Sequence, residues 1–312
     1  MIGSLTRNTT LALVGVVALM TLATPSVFIL DRLVPNHDFT EMKLRVRSWW
    51  VMLGVFSLAI MLNRTVSLVF FGFVSFLALK EYFSIIPTRR AHRRVLFCAY
   101  LAIPVQYYWV ADAWYGMFII FIPVFMFLLL AVQMVLAGQT EGLLKALSTL
   151  HWGLVTTVFL LSHCAYLMIL PQQNHPNVDG AGLVLFLVFL TQFNDVCQFI
   201  WGKLLGRHRI VPIVSPNKTW EGFLGGVATT TLVAILIAPY LTPLTGWETF
   251  AAGAIISIGG FLGDVTISAL KRDLGIKDTG TMLPGHGGIL DRVDSLTFTS
   301  PLFFHFIYNL HY

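Results

Sequence analysis

The sequence predicts an all-α, polytopic integral membrane protein, and three observations carry that expectation. Hydrophobic residues make up 56% of the 312 residues and charged residues only 11%, where a soluble chain carries about 25% charged residues. Mean hydropathy is +0.77. The apolar residues also fall in windows long enough to cross a bilayer as helices, the form that satisfies its own backbone in lipid.

Those windows lie near 10–30, 48–63, 65–84, 95–110, 115–136, 151–171, 181–202, 223–240, 249–270 and 293–310, which gives about 9–10 transmembrane helices. The first, with Arg7 before an apolar run to Leu22, has the outline of a signal peptide. Because everything downstream is equally apolar, an uncleaved span is expected. The windows 48–63 and 65–84 nearly touch and predict a tight hairpin. No polar block is long enough for a separate soluble domain. The expected organisation is one integral domain, with a multi-span region 1–180 followed by a region 181–312 that carries the chemistry. There is no internal repeat, which argues against a transporter built on duplicated halves.

Charge placement sets the expected topology. Alternate loops collect Arg32, Lys43, Arg45 and Arg47; then Lys80, Arg89, Arg90, Arg93 and Arg94; then Lys145; then Lys203, Arg207, Arg209 and Lys218; and finally Lys271, Arg272, Lys277 and Arg292. Only Arg7 and Arg64 fall on the other side. The positive-inside rule makes the basic loops cytoplasmic, with both termini outside. The net charge of +5 therefore points to anionic head groups and not to nucleic acid. Cys98, Cys164 and Cys197 all lie in apolar runs, so neither a disulfide framework nor a metal motif is expected from them.

Two of the basic loops hold unusual polar clusters. In "GGFLGDVTISALKRDLGIKD", residues 259–278, a helix puts Asp264, Ser268 and Lys271 on one face. Asp264 then lies roughly 10 Å of helix rise from the cytoplasmic end, where an ionised carboxylate costs on the order of 3 kcal/mol unless paired, hydrated or protonated. Asp195, eight residues before Lys203, is a second deep acid. "DRVDS" at 291–295 adds Asp291 and Asp294, which suit a helix N-terminus and, where carboxylates converge, a hard cation such as Mg²⁺. "PGHGG" at 284–288 offers main-chain N–H groups to an anion, with His286 able to donate to a phosphate. The loop "IVPIVSPNKTWEGFLGG", 210–226, supplies Ser215, Lys218 and Thr219, all phosphate-binding types, without the spacing of a Walker loop. Acids and bases around glycine-rich turns suit phosphoryl or nucleotidyl transfer.

The run Ser268, Lys271, Arg272, Lys277, Asp278, Gly280, Pro284, His286, Gly287, Gly288, Asp291, Arg292 and Asp294 resembles the signature of the phosphatidate cytidylyltransferases, or CDP-diacylglycerol synthases. "SPNKTWEGFLGG" is similar to a second segment of that family, so the resemblance covers most of the chain from Asp195 to Ser295. It implies transfer of CMP from CTP to phosphatidate, giving CDP-diacylglycerol and pyrophosphate, with Mg²⁺ required. By motif position it assigns metal binding to Asp264 and Asp291, with Asp294 and Asp195 as further acids. Lys218, Lys271, Arg272 and Lys277 would bind phosphate, and Ser215, Ser268 and His286 would orient it. Thr219, Asp278, Gly287, Gly288 and Arg292 complete the expected substrate-binding set. A second, monovalent cation and a homodimer are compatible with this reading.

Two positions depart from the family pattern. Ile267 stands where the family usually has Glu, and Gln198 with Phe199 stand where it tends to have Ala-Tyr. They make a divergent paralogue with another phosphate-lipid acceptor a natural expectation. The competing readings are a phosphotransferase that uses another acceptor, and a transporter or channel with Asp195 and Asp264 in an ion path.

Overall fold

The computed structural model describes residues 5–33, 40–86, 93–138, 140–170, 178–283, 285 and 287–312. Ten helices follow one another along these residues: α1 (Arg7–Leu33), α2 (Thr40–Leu62), α3 (Arg64–Ile85), α4 (Arg93–Ala111), α5 (Tyr115–Leu136), α6 (Leu143–Leu167), α7 (Gly180–Leu205), α8 (Trp220–Leu241), α9 (Trp247–Asp273) and α10 (Leu290–His311). Eight of them are long and apolar enough to cross a membrane, and Val95–Ala111 is a shorter apolar helix. The chain is an all-α, multi-pass integral membrane protein.

Local chemistry explains where the helices begin. Asn63 separates α2 from α3 and caps α3 by accepting from the Val66 amide at 2.8 Å, which makes the expected hairpin. Asp179 and Thr219 cap α7 and α8 in the same way, accepting from Gly182 N and Gly222 N. α5 and α6 each contain a wider π-turn, at Phe121–Met126 and Val155–Phe159. In α5 it surrounds Pro123, which has no N–H for the regular ladder.

Several helices outrun their apolar windows. The stretch 31–47 is not simply a loop: α1 continues to Leu33 and α2 starts at Thr40, so Lys43, Arg45 and Arg47 sit on a helix. α6 likewise starts at Leu143 instead of 151. Long polar side chains there keep their charges at the membrane surface while the backbone stays helical.

Small and polar residues join buried apolar ones in bringing the C-terminal helices together, as expected where lipid weakens the hydrophobic drive. α7 and α8 cross so closely that a Cβ at Gly222 would meet the Gln198 carbonyl oxygen at 2.7 Å and Gly202 Cα at 3.0 Å. Fully buried Asn194 on α7 donates to Ser257 O on α9 at 3.1 Å and accepts from Thr230 on α8 at 3.3 Å. Thr191 on α7 donates to Thr299 on α10 at 3.0 Å. α6 joins this group through Cys164 and Ser300, 2.9 Å apart.

The two ends of the bundle carry different contacts. At one end Arg45 reaches Gly285 O, Glu81 meets the start of α10, and Arg272 reaches Val214 O. At the other, Asp179 accepts from Thr6 N and the Thr9 hydroxyl, Arg64 donates to Ala111 O, and His311 pairs with Glu248. The alternation read from basic residues is thus realised in three dimensions, and the basic connections share one end. Arg89 and Arg90 lie outside the described residues. Cys98, Cys164 and Cys197 are free, the last two buried.

Candidate active site

The polar connections α7–α8 and α9–α10 meet at the basic end. The first closes through an isolated antiparallel bridge between Arg209 and Thr219. Its turn is held by main-chain bonds from Ser215 N to Val211 O and from Lys218 N to Ser215 O. The second turns back on itself where Leu283 N donates to Gly287 O at 2.9 Å. Gly285 and Gly287 take φ of +75° and +79° there, a region that side-chain-bearing residues rarely adopt. Arg272 ties the two connections, its Nε donating to Val214 O at 3.1 Å.

Two ion pairs organise the space between them. Lys218 Nζ lies 2.6 Å from Asp264 Oδ2 on α9, Ser268 donates to Asp264 Oδ1 at 3.2 Å, and Lys218 also donates to Gln198 Oε1 at 3.3 Å. Asp195 and Asp294 both interact electrostatically with Asp264 and Lys218. Asp195 accepts from the Ser295 hydroxyl at 3.0 Å. Burial opposes the charge on Lys218, but Asp264 and Asp195 outweigh it and hold its pKa above the ordinary lysine value. Three carboxylates thus share one ammonium.

The second pair is Lys271 with Asp291, 2.8 Å apart. The other oxygen of Asp291 accepts from Thr279 N, the Thr279 hydroxyl and Gly288 N, at 2.9, 3.0 and 3.0 Å. Asp291 and Asp294 are only three residues apart, yet they serve different clusters. Asp291 turns to Lys271 and the glycine turn, whereas Asp294 joins Asp195 and Asp264.

A cavity of about 710 Å³ opens beside both clusters, lined among others by Asp195, Lys277, Asp278, Gly287 and Arg292. Arg292 Nε is buried there with no hydrogen-bond partner among the described residues. An orphaned guanidinium N–H beside glycine amides fits an anionic ligand, since a buried donor left unsatisfied costs about 1–3 kcal/mol. The oxygen-only acids Asp195, Asp264 and Asp294, in excess over Lys218, fit a hard divalent cation. Among the described residues no three His, Cys, Asp or Glu side chains are already gathered as a ligand set, and Lys218 is paired with Asp264.

The remaining expected residues have distinct positions. Thr219 caps α8, Arg272 is a bridge between connections, and Ser215 sits in a turn. His286 lies outside the described residues. Three contributors come from the N-terminal half. Arg45 and Trp49 of α2 line the cavity, and Glu81 of α3 accepts from Leu290 N at 2.7 Å. Their signal in the sequence was weak: Arg45 reads as a surface charge, and Glu81 follows Lys80 at the end of an apolar span. Of that pair, Lys80 is exposed and Glu81 buried.

Residues 43–310 match the model of the cytidylyltransferase family, a match that takes in α2 to α10 and both polar connections. The chain belongs to the cytidylyltransferase family. It is a nucleotidyltransferase, an enzyme, which sets aside the transporter reading. Among cytidylyltransferase relatives, a phosphatidate cytidylyltransferase of Staphylococcus haemolyticus (strain JCSC1435) is 42% identical over 125 residues, 40% of this chain and 48% of that protein. One of Mycobacterium leprae (strain TN) is 41% identical over 143 residues, 46% and 44% of the two chains. The uncharacterized protein YnbB of Escherichia coli (strain K12) is 47% identical over 280 residues, 90% of this chain and 91% of its own length. The chain thus spans about half the length of the named phosphatidate cytidylyltransferases and nearly all of YnbB.

Proposed function

We propose that this enzyme transfers CMP from CTP to a phosphate-bearing membrane lipid, with phosphatidate the first acceptor to test. The observation that carries the reading is the meeting of motif residues at one cavity wall: Asp195, Lys277, Asp278, Gly287 and Arg292. A phosphate oxygen of the lipid attacks the α-phosphorus of CTP. A new P–O bond forms as the bond from the α-phosphorus to its bridging oxygen breaks, and pyrophosphate leaves with both electrons of that bond. Positioning and charge neutralisation lower such a barrier more than covalent help does.

In this reading Arg292, Lys277 and the amides of the glycine turn hold phosphate oxygens. Asp264, Asp195 and Asp294 would hold Mg²⁺, and Lys218 moves from Asp264 to a phosphate as they do so. When bound, that cation supplies charge neutralisation at the transferring phosphoryl group and the leaving pyrophosphate. Asp291 keeps Lys271 and the glycine turn in place, and the metal-binding part expected from its motif position would require it to release Lys271. The basic end of the bundle faces the cytoplasm, where CTP is available.

Purified protein in nanodiscs, given CTP, Mg²⁺ and phosphatidate, is expected to release pyrophosphate and form CDP-diacylglycerol. No release across a panel of phosphate lipids would overturn the reading. A second acceptor, another phosphate lipid, is favoured by one observation. Gln198 is buried, takes a bond from Lys218 and leaves its own Nε2 without a partner. It thereby changes the polar surroundings of the cation nearest Asp264.

A further inference from the structure

We propose that Glu81, on α3, is a positioning residue for the nucleotide site: it sets the shape of the glycine turn that forms the cavity wall. The inference rests on the function proposed above for its kinetic consequences, but its geometric part stands apart from that reading.

Glu81 is an acid at the end of an apolar helix, and only 8% of its surface is exposed. The cost of burying a carboxylate near lipid requires partners, and it finds them in one place. Oε2 accepts from Leu290 N, just past the turn, at 2.7 Å. Gly280 and Gly288 close against the same carboxylate, so that a Cβ at either position would run into Glu81. A side chain at either position would therefore displace the Glu81 carboxylate, and neither glycine has a positive φ.

The turn fixed in this way is the cavity wall. Gly280, Thr281, Leu283, Gly285 and Gly287 all line it. Asp291 holds the same segment through Thr279 and Gly288. A cap needed only to start α10 could be supplied by Ser, Thr or Asn from within the connection. A carboxylate sent across from α3 instead ties the wall to the N-terminal half of the bundle, as Arg45 does at Gly285.

The test uses the full chain in nanodiscs and two readouts. Hydrogen exchange over residues 278–292 reports the turn directly, without reference to activity. Steady-state kinetics separate KM for CTP from kcat. Glu81→Ala is expected to speed exchange in this segment about ten-fold, with α7 and α8 unchanged, and to raise KM about ten-fold, the scale of one lost buried hydrogen bond. Glu81→Gln keeps an oxygen acceptor and is expected to restore both values to within about three-fold. Gly288→Ala, which collides with Glu81 from the other side, is expected to raise KM in the same way and serves where Glu81→Ala fails to fold. Unchanged exchange over 278–292 in Glu81→Ala, or Gln behaving as Ala does, would overturn the proposal. So would a uniform loss of protection across all helices with KM unaltered. Wild-type protein inactive with every lipid would sink the proposed function, while the exchange result would still decide whether Glu81 shapes the turn.

Discussion

The two ion pairs of the site have nearly the same length and opposite characters. Lys218 and Asp264 are 2.6 Å apart, with 20% and 23% of their side chains exposed. Among the described residues, the one hydrogen bond to Asp264 besides that ion pair comes from the Ser268 hydroxyl at 3.2 Å. Lys271 and Asp291 are 2.8 Å apart with 12% and 3% exposed, and Asp291 accepts three further bonds from the glycine turn. The first pair can exchange partners without undoing any backbone. The second cannot open without releasing the turn. Equal distance therefore hides a division of labour, in which one pair is available to ligands and the other holds the frame.

The largest effect should come from breaking the first pair. Asp264→Asn is expected to lower the rate of CMP transfer about 10³-fold, the scale seen when a group that acts on transition-state charge is removed. Because Asp264 anchors no main-chain group, the melting midpoint should move by no more than about 2 °C. Initial rates and a thermal melt on the same preparation check this. A fall in midpoint as large as that of an Asp291 variant would erase the distinction.

Asp291→Ala should invert the pattern. Removing one partner of a buried pair typically costs about 3–5 kcal/mol because the other charge is stranded, and here the Thr279 and Gly288 donors lose their acceptor as well. The expected result is a clear drop in midpoint together with faster hydrogen exchange at residues 278–290, with activity lost as a consequence. If Asp291→Ala proved inactive at unchanged stability, Asp291 would belong with Asp264 as a ligand.

A smaller effect separates the pairs from the ligand side. Mg²⁺ is expected to stabilise the wild-type protein by about 1.4 kcal/mol at ten times its dissociation constant, and to leave Asp264→Asn unmoved. The measurement is a melt with and without Mg²⁺, with no substrate present. Equal stabilisation of both proteins would place the cation elsewhere.

This contrast also marks what the sequence could show. Asp264, Lys271, Asp291 and the glycines stood out because polar residues are costly beside lipid and here crowd at one end of the chain's apolar spans. Ten helices were legible from the same contrast, and their starts were misjudged only where polar turns such as 40–47 and 143–150 continue a helix beyond its apolar window. The separate duties of Asp291 and Asp294 were not legible. Three residues of helix put them on one side, and only the path of the connecting turn sends one to Lys271 and the other to Asp195 and Asp264. Glu81 was hidden by distance along the chain, since its partner Leu290 lies 209 residues away.

The smallest predicted effect concerns Gln198, which sits behind the exchangeable pair. Its Oε1 accepts from Lys218 at 3.3 Å, while its Nε2 is buried and unpartnered. That is an arrangement a protein selected for stability alone would lose, because an unsatisfied buried donor costs about 1–3 kcal/mol. Gln198→Leu should therefore raise the melting midpoint slightly. Lys218 would then keep only its carboxylate partners, Asp264 at 2.6 Å with Asp195 and Asp294 around it, so its transfer to a phosphate should become harder and kcat/KM should fall about three- to five-fold, near 1 kcal/mol. Running the variant against a panel of phosphate lipids distinguishes two consequences. A fall shared equally by all acceptors means that Gln198 acts only through Lys218. A fall concentrated on one acceptor identifies Gln198 as part of what the enzyme uses to choose its lipid.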